Sequence, residues 1–289
     1  MFKKILSIAL IMTAFNSFGK EPEAFRLWEN QPPMVENGLT PSDEIVENPG
    51  WTSNVATGEL FVYPAERPNG MALLMCPGGG YSGVAMEHEG RALAKPLNDL
   101  GITVGVVKYR MPNGHWQVPT EDVNRAYEIM VENADGWGIN PNKIGIGGAS
   151  AGGHLASTIA THPENKFKPA FQILLYPVIS MNQEITHGGS RHFLLGDNPS
   201  PALVEYYSNE RQVNSQTPPA FIAVSADDTV VPVKNSIDYF NALTANGVPV
   251  SLHVYPTGNH GWGYKPEKGE NQMWFFELVN WLNNLYPQK

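Results

Sequence analysis

The chain has 289 residues with a formal net charge of −9, and 42% of its residues are hydrophobic. This acidic balance offers no clustered Lys and Arg surface for phosphate contacts, which excludes nucleic acid as an expected partner. The only cysteine, Cys76, cannot form an intramolecular disulfide, so stability is expected to come from a buried core rather than from cross-links.

Residues 1–19 are typical of a signal peptide. Two lysines near the start precede an apolar run over residues 5–15, and small residues up to Gly19 provide a cleavage site. The run is shorter than the roughly 20 apolar residues that span a bilayer. We therefore expect cleavage after Gly19, no membrane anchor in the mature protein, and a periplasmic or secreted location.

The remaining chain divides into an N-terminal arm and one larger unit. Residues 20–58 are rich in Pro, Asn and Glu and are weakly periodic, whereas no linker or repeat divides residues 59–289, which are predicted to form a single domain. Strand and helix patterns alternate in this domain, which predicts an α/β fold with a mostly parallel central sheet and helices on both faces. The predicted strands cover 59–63, 71–76, 102–109, 171–178, 220–226 and 250–255, and the predicted helices include 87–100 and 120–137.

A glycine turn follows the strand predicted over 71–76. Gly78, Gly79 and Gly80 come directly after Pro77, and glycines let backbone N–H groups approach a ligand closely. Alone, this pattern is typical of a flexible turn. Beside a nucleophile, the same N–H groups can stabilise an oxyanion.

The most specific pattern is the G-x-S-x-G of Gly148, Ser150 and Gly152, at the junction of a strand-like segment and a helix. It is typical of a nucleophile elbow, in which the serine occupies a strained turn that exposes its hydroxyl. An ordinary Gly-rich connection is the alternative for this pattern alone. In an elbow, the N–H of Ala151 is the first oxyanion donor, and the Gly79/Gly80 turn provides the second.

A serine nucleophile needs a histidine base and usually a carboxylate that orients it. Asp227 and Asp228 follow the strand over 220–226, and His260 follows the strand over 250–255. Both positions lie at the carboxyl ends of predicted strands, where ligands bind in open α/β sheets. The order Ser, Asp, His is that of the α/β hydrolases, but the residues alone do not choose between the two aspartates.

Four segments resemble the α/β-hydrolase serine esterases, and more narrowly the secreted bacterial carbohydrate esterases of the acetyl xylan esterase-like and feruloyl esterase-like type. The resemblance extends from about Leu60 to the C-terminus and is carried by residues 76–82, 108–112, 148–154 and 227–232. It implies that Ser150, Asp228 and His260 form a catalytic triad, because the family's carboxylate stands before a two-residue step and Val-Pro. It also implies an acylated carbohydrate substrate, with acetyl on xylan as the first choice and feruloyl as the second.

Two departures from related enzymes concern subfamily and substrate rather than the triad. Pro77 stands where many lipase-like relatives have His, and Val224-Ser225 replaces a common His-Gly or His-Ala. An oligopeptidase-type serine hydrolase, which shares this fold and triad, is one alternative function. A non-catalytic carbohydrate-binding relative is another, disfavoured because every triad position is filled.

The connection over residues 179–219 is far longer than usual and can form one wall of the substrate cleft. Tyr81 and Trp262 are predicted to contact substrate. Trp262 borders the loop that carries His260 and is interpreted as a sugar-stacking platform, with a buried aromatic residue as the alternative. The other histidines, including His187, are interpreted as structural or surface residues, since none has metal-ligand spacing. No metal and no cofactor is therefore expected.

Overall fold

Continuous apolar runs of the sequence form the parallel centre of a large sheet. The structure is a computed structural model that describes residues 22–48, 50–265 and 273–287, so the predicted signal peptide lies outside the described residues. Within the described residues, the main sheet has eight strands in the order β1 (Glu23–Arg26), β4 (Glu59–Tyr63), β7 (Thr103–Lys108), β5 (Gly70–Cys76), β8 (Ile139–Ala149), β9 (Gln172–Leu175), β10 (Ala220–Ser225) and β11 (Val250–Tyr255). In this order, neighbouring strands from β7 to β11 are parallel, whereas β4 is antiparallel to both β1 and β7. The predicted fold class is confirmed.

The N-terminal arm contributes strands to two sheets. β1 pairs with β4 at one edge of the main sheet. β2 (Ile45–Asn48) and β3 (Trp51–Ser53) form a small antiparallel sheet with β6 (Gly83–Ala85), which follows the glycine turn. The sequence indicates only weak periodicity in the arm, because strands this short show no clear alternation. The arm therefore packs beside the turn that the sequence associates with the oxyanion.

Helices surround the main sheet. The described α-helices are α1 (Ala94–Asp99), α2 (Val118–Glu132), α3 (Ala134–Trp137), α4 (Ser150–Thr161), α5 (Gly188–Leu195), α6 (Pro201–Tyr206), α7 (Lys234–Ala245) and α8 (Trp274–Leu285). α8 packs through Trp281 against Phe171 and Phe221, with ring centroids 6.2 and 5.9 Å apart. None of the described helices is long and apolar enough to cross a membrane.

The helix predicted over 87–100 is shorter in the structure. A 3-10 turn at Arg91–Leu93 leads into α1, and Gly90 before it has φ −138° and ψ −86°, which is not helical. A Cβ at Gly90 would lie only 2.7 Å from the backbone oxygen of Met86. The irregular turn places the side chain of Glu89 in the interior, where only 3% of the residue is exposed.

Two further boundaries differ from the sequence prediction. The helix predicted over 120–137 is interrupted at Asn133, which has φ −107° and separates α2 from α3. The strand predicted over 171–178 ends at Leu175, because Tyr176 has a positive φ of 35° and leaves the sheet.

A buried ion pair attaches the arm to the domain. The Asp122 carboxylate on α2 accepts hydrogen bonds from Arg110 Nη2 at 2.7 Å and from the Arg110 backbone N–H at 2.7 Å. Arg110 also donates to the backbone oxygen of Val35, and Trp28 Nε1 donates to Asp122. The segment over 108–112, one of those that carry the family resemblance, therefore has a structural role here.

Candidate active site

Ser150 lies on a strained turn between β8 and α4. Its φ of 52° is in the left-handed region, which is unfavourable for a residue with a side chain. The turn needs small neighbours, because a Cβ at Gly148 would lie 2.1 Å from the Gly152 oxygen and one at Gly152 would lie 2.0 Å from the Cys76 oxygen. The G-x-S-x-G segment therefore has the geometry of a nucleophile elbow.

The structure brings the three predicted triad side chains together. His260 Nε2 lies 2.8 Å from Ser150 Oγ, and His260 Nδ1 lies 2.7 Å from Asp228 Oδ2. Asp228 Oδ1 accepts the backbone N–H groups of Val230 and Val231 at 2.9 and 2.8 Å, which holds the carboxylate in one orientation. An Asp228 carboxylate that accepts the Nδ1–H leaves Nε2 free to accept the serine proton.

The neighbouring Asp227 has a different set of contacts. It is exposed, and its carboxylate accepts the backbone N–H groups of Asn259 at 2.8 Å and Gly258 at 3.3 Å. These bonds hold the loop before His260 but do not reach the imidazole. The structure thus distinguishes the two adjacent aspartates by geometry, and only Asp228 contacts the histidine ring.

The glycine turn lies directly against the elbow. A Cβ at Gly78 would lie 2.8 Å from Ser150 Cβ, and a Cβ at Gly79 would lie 2.1 Å from the Gly83 oxygen. Gly79 has φ 139° and Gly80 has φ 65°, conformations that favour glycine. Among the described hydrogen bonds, none uses the N–H of Gly79 or Gly80. The N–H groups of Gly79 and Gly80, which follow Gly78 in the chain, and the N–H of Ala151, in the first turn of α4, are therefore available as the predicted oxyanion donors.

A buried carboxylate connects the glycine turn to the loop that carries His260. Glu89 accepts the Gly78 N–H at 2.8 Å through Oε2 and the Tyr176 O–H at 2.8 Å through Oε1. The Tyr176 oxygen in turn accepts the Gly263 N–H at 2.7 Å, and the Tyr176 ring packs edge-on against His260 with centroids 4.7 Å apart. Burial and the Glu89 carboxylate raise the pKa of Tyr176, so its hydroxyl stays protonated and donates.

The sequence gives no signal for this arrangement. Glu89 stands among several acidic and polar residues, and it contacts Tyr176 only because the chain returns to it 87 residues later. We refer to Glu89, Tyr176 and their bonds to Gly78 and Gly263 as the Glu89 network.

The two predicted substrate contacts lie in the interior. Tyr81 is 1% exposed and its hydroxyl is 2.9 Å from His154 Nδ1, while Trp262 is 5% exposed and donates from Nε1 to Ser225 Oγ at 3.0 Å. A sugar-binding aromatic residue must present a face to the ligand. The structure contradicts this prediction for both residues, because neither presents such a face.

Three of the other histidines, His154, His162 and His187, differ in their surroundings. His154 is fully buried, its Nε2 lies 2.8 Å from the Tyr207 backbone oxygen, and burial lowers its pKa to about 4. His162 similarly bonds to the Tyr206 backbone oxygen. These two have the predicted structural role. His187 instead lies beside Gly80, close to the elbow.

Within the described residues, no group of three or more His, Cys, Asp or Glu side chains could hold a metal ion.

A mostly parallel sheet with a serine elbow, a histidine and an aspartate at the ends of successive strands defines an α/β hydrolase. A protein family described as having the alpha/beta hydrolase fold matches residues 73–263, and the chain belongs to this family.

Similar proteins include enzymes named for xylan. The chain is 39% identical to an acetylxylan esterase of Xylanibacter ruminicola over 82% of its own length, and 36% identical to the endo-1,4-beta-xylanase B of Butyrivibrio fibrisolvens over 65%. It spans 50% of the first relative and 32% of the second. The crystal structure of an acetyl ester-xyloside bifunctional hydrolase from Caldicellulosiruptor lactoaceticus is similar with a TM-score of 0.78 and 33% identity, covering 93% of this chain and 98% of that one.

Proposed function

We propose that the protein is a serine esterase that removes acyl groups from carbohydrate esters, acetyl groups on xylan first among them. The observation that carries this proposal is the row of hydrogen bonds from Asp228 through His260 to Ser150 Oγ, at 2.7 and 2.8 Å. The names of the similar proteins support the substrate class, since an acetylxylan esterase and an acetyl ester-xyloside hydrolase are among them.

In the first half of the proposed reaction, the acyl group moves to the enzyme. Ser150 Oγ attacks the ester carbonyl carbon while His260 Nε2 takes the serine proton, and Asp228 stabilises the resulting imidazolium. The backbone N–H groups of Ala151 and of the Gly79/Gly80 turn receive the oxyanion. When the carbon–oxygen bond to the sugar breaks, His260 returns its proton to the departing sugar oxygen.

In the second half, water replaces the sugar. His260 takes a proton from the water as its oxygen attacks the acyl-enzyme carbonyl, and the same N–H groups receive the oxyanion. The bond to Ser150 Oγ then breaks, and His260 returns the proton to the serine. Acetic acid leaves, and the free enzyme is restored.

We further propose that the enzyme is exported before it acts. The signal-peptide composition of residues 1–19 supports this, and a polymeric substrate such as xylan requires an enzyme outside the cytoplasm. Expression with and without residues 1–19, followed by fractionation, tests it. Mature protein that begins at Lys20 outside the cytoplasm is expected, and retention of the full chain inside would contradict it.

A substrate panel tests the esterase proposal. Purified protein is assayed on acetylated xylo-oligosaccharides, methyl ferulate and p-nitrophenyl esters from acetate to octanoate, with Ser150→Ala as the inactive control. We expect the acetyl esters to be cleaved fastest in the p-nitrophenyl series and acetate to be released from the oligosaccharides. A preference for the octanoate ester would indicate a lipase. Faster cleavage of methyl ferulate than of the acetylated xylo-oligosaccharides would indicate a feruloyl esterase.

Inhibitors test the serine mechanism on the same protein. Because the attacking group comes from the Ser150 and His260 pair, a sulfonyl fluoride is expected to abolish the activity, and excess EDTA is expected to leave it unchanged. Loss in EDTA that a divalent cation restores would argue for a metal-dependent deacetylase instead.

A further inference from the structure

His187 lies beside Gly80 of the glycine turn, although the sequence gives it no role. It belongs to the 179–219 connection and is the residue before α5. Its ring packs over the glycine turn, because a Cβ placed at Gly80 would be 3.5 Å from His187 Cε1. The 179–219 connection therefore brings a second imidazole to the edge of the proposed oxyanion site.

The contacts of His187 determine which ring nitrogen carries a proton. Nδ1 accepts the Ser190 backbone N–H at 3.2 Å and is 2.9 Å from the Ser190 hydroxyl, so it caps the first turn of α5. A nitrogen that accepts a backbone N–H carries no hydrogen, so the neutral ring has its proton on Nε2. No described residue accepts a hydrogen bond from this Nε2–H, and His187 is partly exposed. The group is free to donate to a ligand.

The charges around His187 are those of the triad. Burial lowers the pKa of His187, the nearby His260 lowers it further, and the Asp228 carboxylate raises it. His187 therefore stays neutral near pH 7 when His260 takes up the serine proton, and its Nε2–H acts as a neutral donor.

We propose that His187 is a substrate-binding residue whose Nε2–H donates a hydrogen bond to a sugar hydroxyl next to the acylated one. This inference rests on the proposed esterase function. An acetyl group has one carbonyl oxygen, which the backbone N–H groups already receive, so a further donor is left for the alcohol part. His260 must also reach the departing sugar oxygen, and His187 is close enough to His260 to interact with it electrostatically, so a sugar bound at His260 is expected within reach of His187.

The test compares two esters that share an acetyl group and differ in the alcohol. His187→Asn is the main variant, because an asparagine carboxamide can still cap α5 but lacks the Nε2–H donor. We expect its kcat/KM to fall about tenfold on acetylated xylo-oligosaccharides, as for the loss of one neutral hydrogen bond, and to stay unchanged on p-nitrophenyl acetate. His192→Asn is the matched control, since His192 is on α5, the helix that His187 caps, is exposed and pairs with Asp197.

The other outcomes distinguish a failure of the role of His187 from a failure of the proposed esterase substrate. An equal loss on both esters, or no loss on either, would overturn the role of His187 while the esterase function stands. A wild-type enzyme that cleaves p-nitrophenyl acetate but no acetylated xylo-oligosaccharide would overturn the proposed substrate, and this inference with it. His187→Ala serves as a second variant: a selective loss shared by Ala and Asn supports the donor, whereas a loss with Ala alone assigns the effect to the helix cap and overturns the proposal.

Discussion

Two regions border the candidate active site and are positioned by different means. We use the name triad loops for residues 150–151, at the junction of β8 and α4, and for residues 226–233 and 256–263. They follow directly from β8, β10 and β11, so the register of parallel strands places their residues. Ser225 at the end of β10 pairs with Tyr255 at the end of β11, and Asp228 and His260 follow within a few residues. The 179–219 connection instead leaves the sheet after β9 and returns to the site through packing.

Side-chain hydrogen bonds hold the 179–219 connection in place. The side-chain oxygen of Asn235 accepts the backbone N–H groups of Ile179 and Ser180, both at 3.0 Å. On the other side, His154 on α4 bonds to the Tyr207 oxygen, and Asn209 donates to the His154 oxygen at 3.0 Å. The backbone ladder thus fixes the reacting groups, and individual polar side chains fix the wall beside them. We expect changes in the triad loops to affect all esters and changes in the connection to affect selectivity or stability.

The largest expected effect is at the nucleophile. Ser150→Ala and His260→Ala should each lower kcat on p-nitrophenyl acetate by a factor on the order of 10⁵ to 10⁶, because the two residues act as a unit. Thermal unfolding of both variants should stay close to wild type. Ser215→Ala, an exposed serine of the 179–219 connection, is the matched control and should keep full activity. Comparable activity in Ser150→Ala and the control would refute the elbow assignment.

The two aspartates provide the next largest contrast. Asp228→Asn should lower kcat by about 10⁴-fold, because an amide at this position favours the wrong histidine tautomer. Asp227→Asn should keep most of the activity, since Asp227 contacts only the backbone of Gly258 and Asn259. Steady-state kinetics on p-nitrophenyl acetate measure both. If Asp227→Asn is the more damaging change, the carboxylate has been placed one residue too far along the chain.

The sheet and the triad could be predicted from the sequence because local signals determine them. Apolar strands are visible as runs, and chemistry at their carboxyl ends follows from the parallel topology. The choice of Asp228 over Asp227 needed the family resemblance, since both stand at the same strand end. Geometry distinguishes them through the hydrogen bond to His260.

The remaining features depend on distant contacts. Tyr81 and Trp262 stand beside site residues in the sequence, yet their side chains point into the core and bond to His154 and Ser225. His187 shows the reverse case, because it is distant in sequence from the glycine turn that it contacts. Proximity in the sequence to a site residue thus did not predict which side chains lie at the site, because long-range packing sets the direction of the backbone in irregular loops.

The buried His154 is expected to lower the stability of the protein in acid. Burial lowers the pKa of His154 to about 4 from its ordinary 6.5, so the folded state stays neutral while the unfolded chain takes up a proton below pH 6.5. Stability therefore falls as the pH drops from 6.5 towards 4, by about 3 kcal/mol for this group. Urea unfolding at several pH values should show that His154→Gln removes this part of the pH dependence.

At pH 7, where His154 is neutral in both the folded and the unfolded state, the same variant is expected to lower the free energy of unfolding. His154→Gln should be less stable than wild type there, because the bonds to Tyr81 and Tyr207 are weakened. The difference in unfolding free energy between the two proteins should shrink as the pH falls. His115→Gln, at an exposed histidine, is the control and should follow the wild-type curve. A constant difference from pH 7 to pH 4 would show that His154 is not buried in its neutral form.

The smallest expected effect is in the Glu89 network. Glu89 bonds to Gly78 of the glycine turn and to Tyr176, and Tyr176 bonds to Gly263 of the loop that carries His260. Glu89→Gln keeps the shape of the side chain but replaces one acceptor by a donor, which then faces the Gly78 N–H or the Tyr176 O–H. We expect kcat to fall about tenfold with KM unchanged, because one hydrogen bond that positions the reacting groups is lost.

The loss of activity in Glu89→Gln should be the same for p-nitrophenyl acetate and for acetylated xylo-oligosaccharides. This is the behaviour expected of changes in the triad loops, and it differs from that of His187→Asn. Glu87→Gln, at an exposed carboxylate nearby, should have no effect. A loss confined to the oligosaccharides would instead assign the Glu89 network to substrate selection, and a network that supports the histidine loop would then act as we expect only of the 179–219 connection.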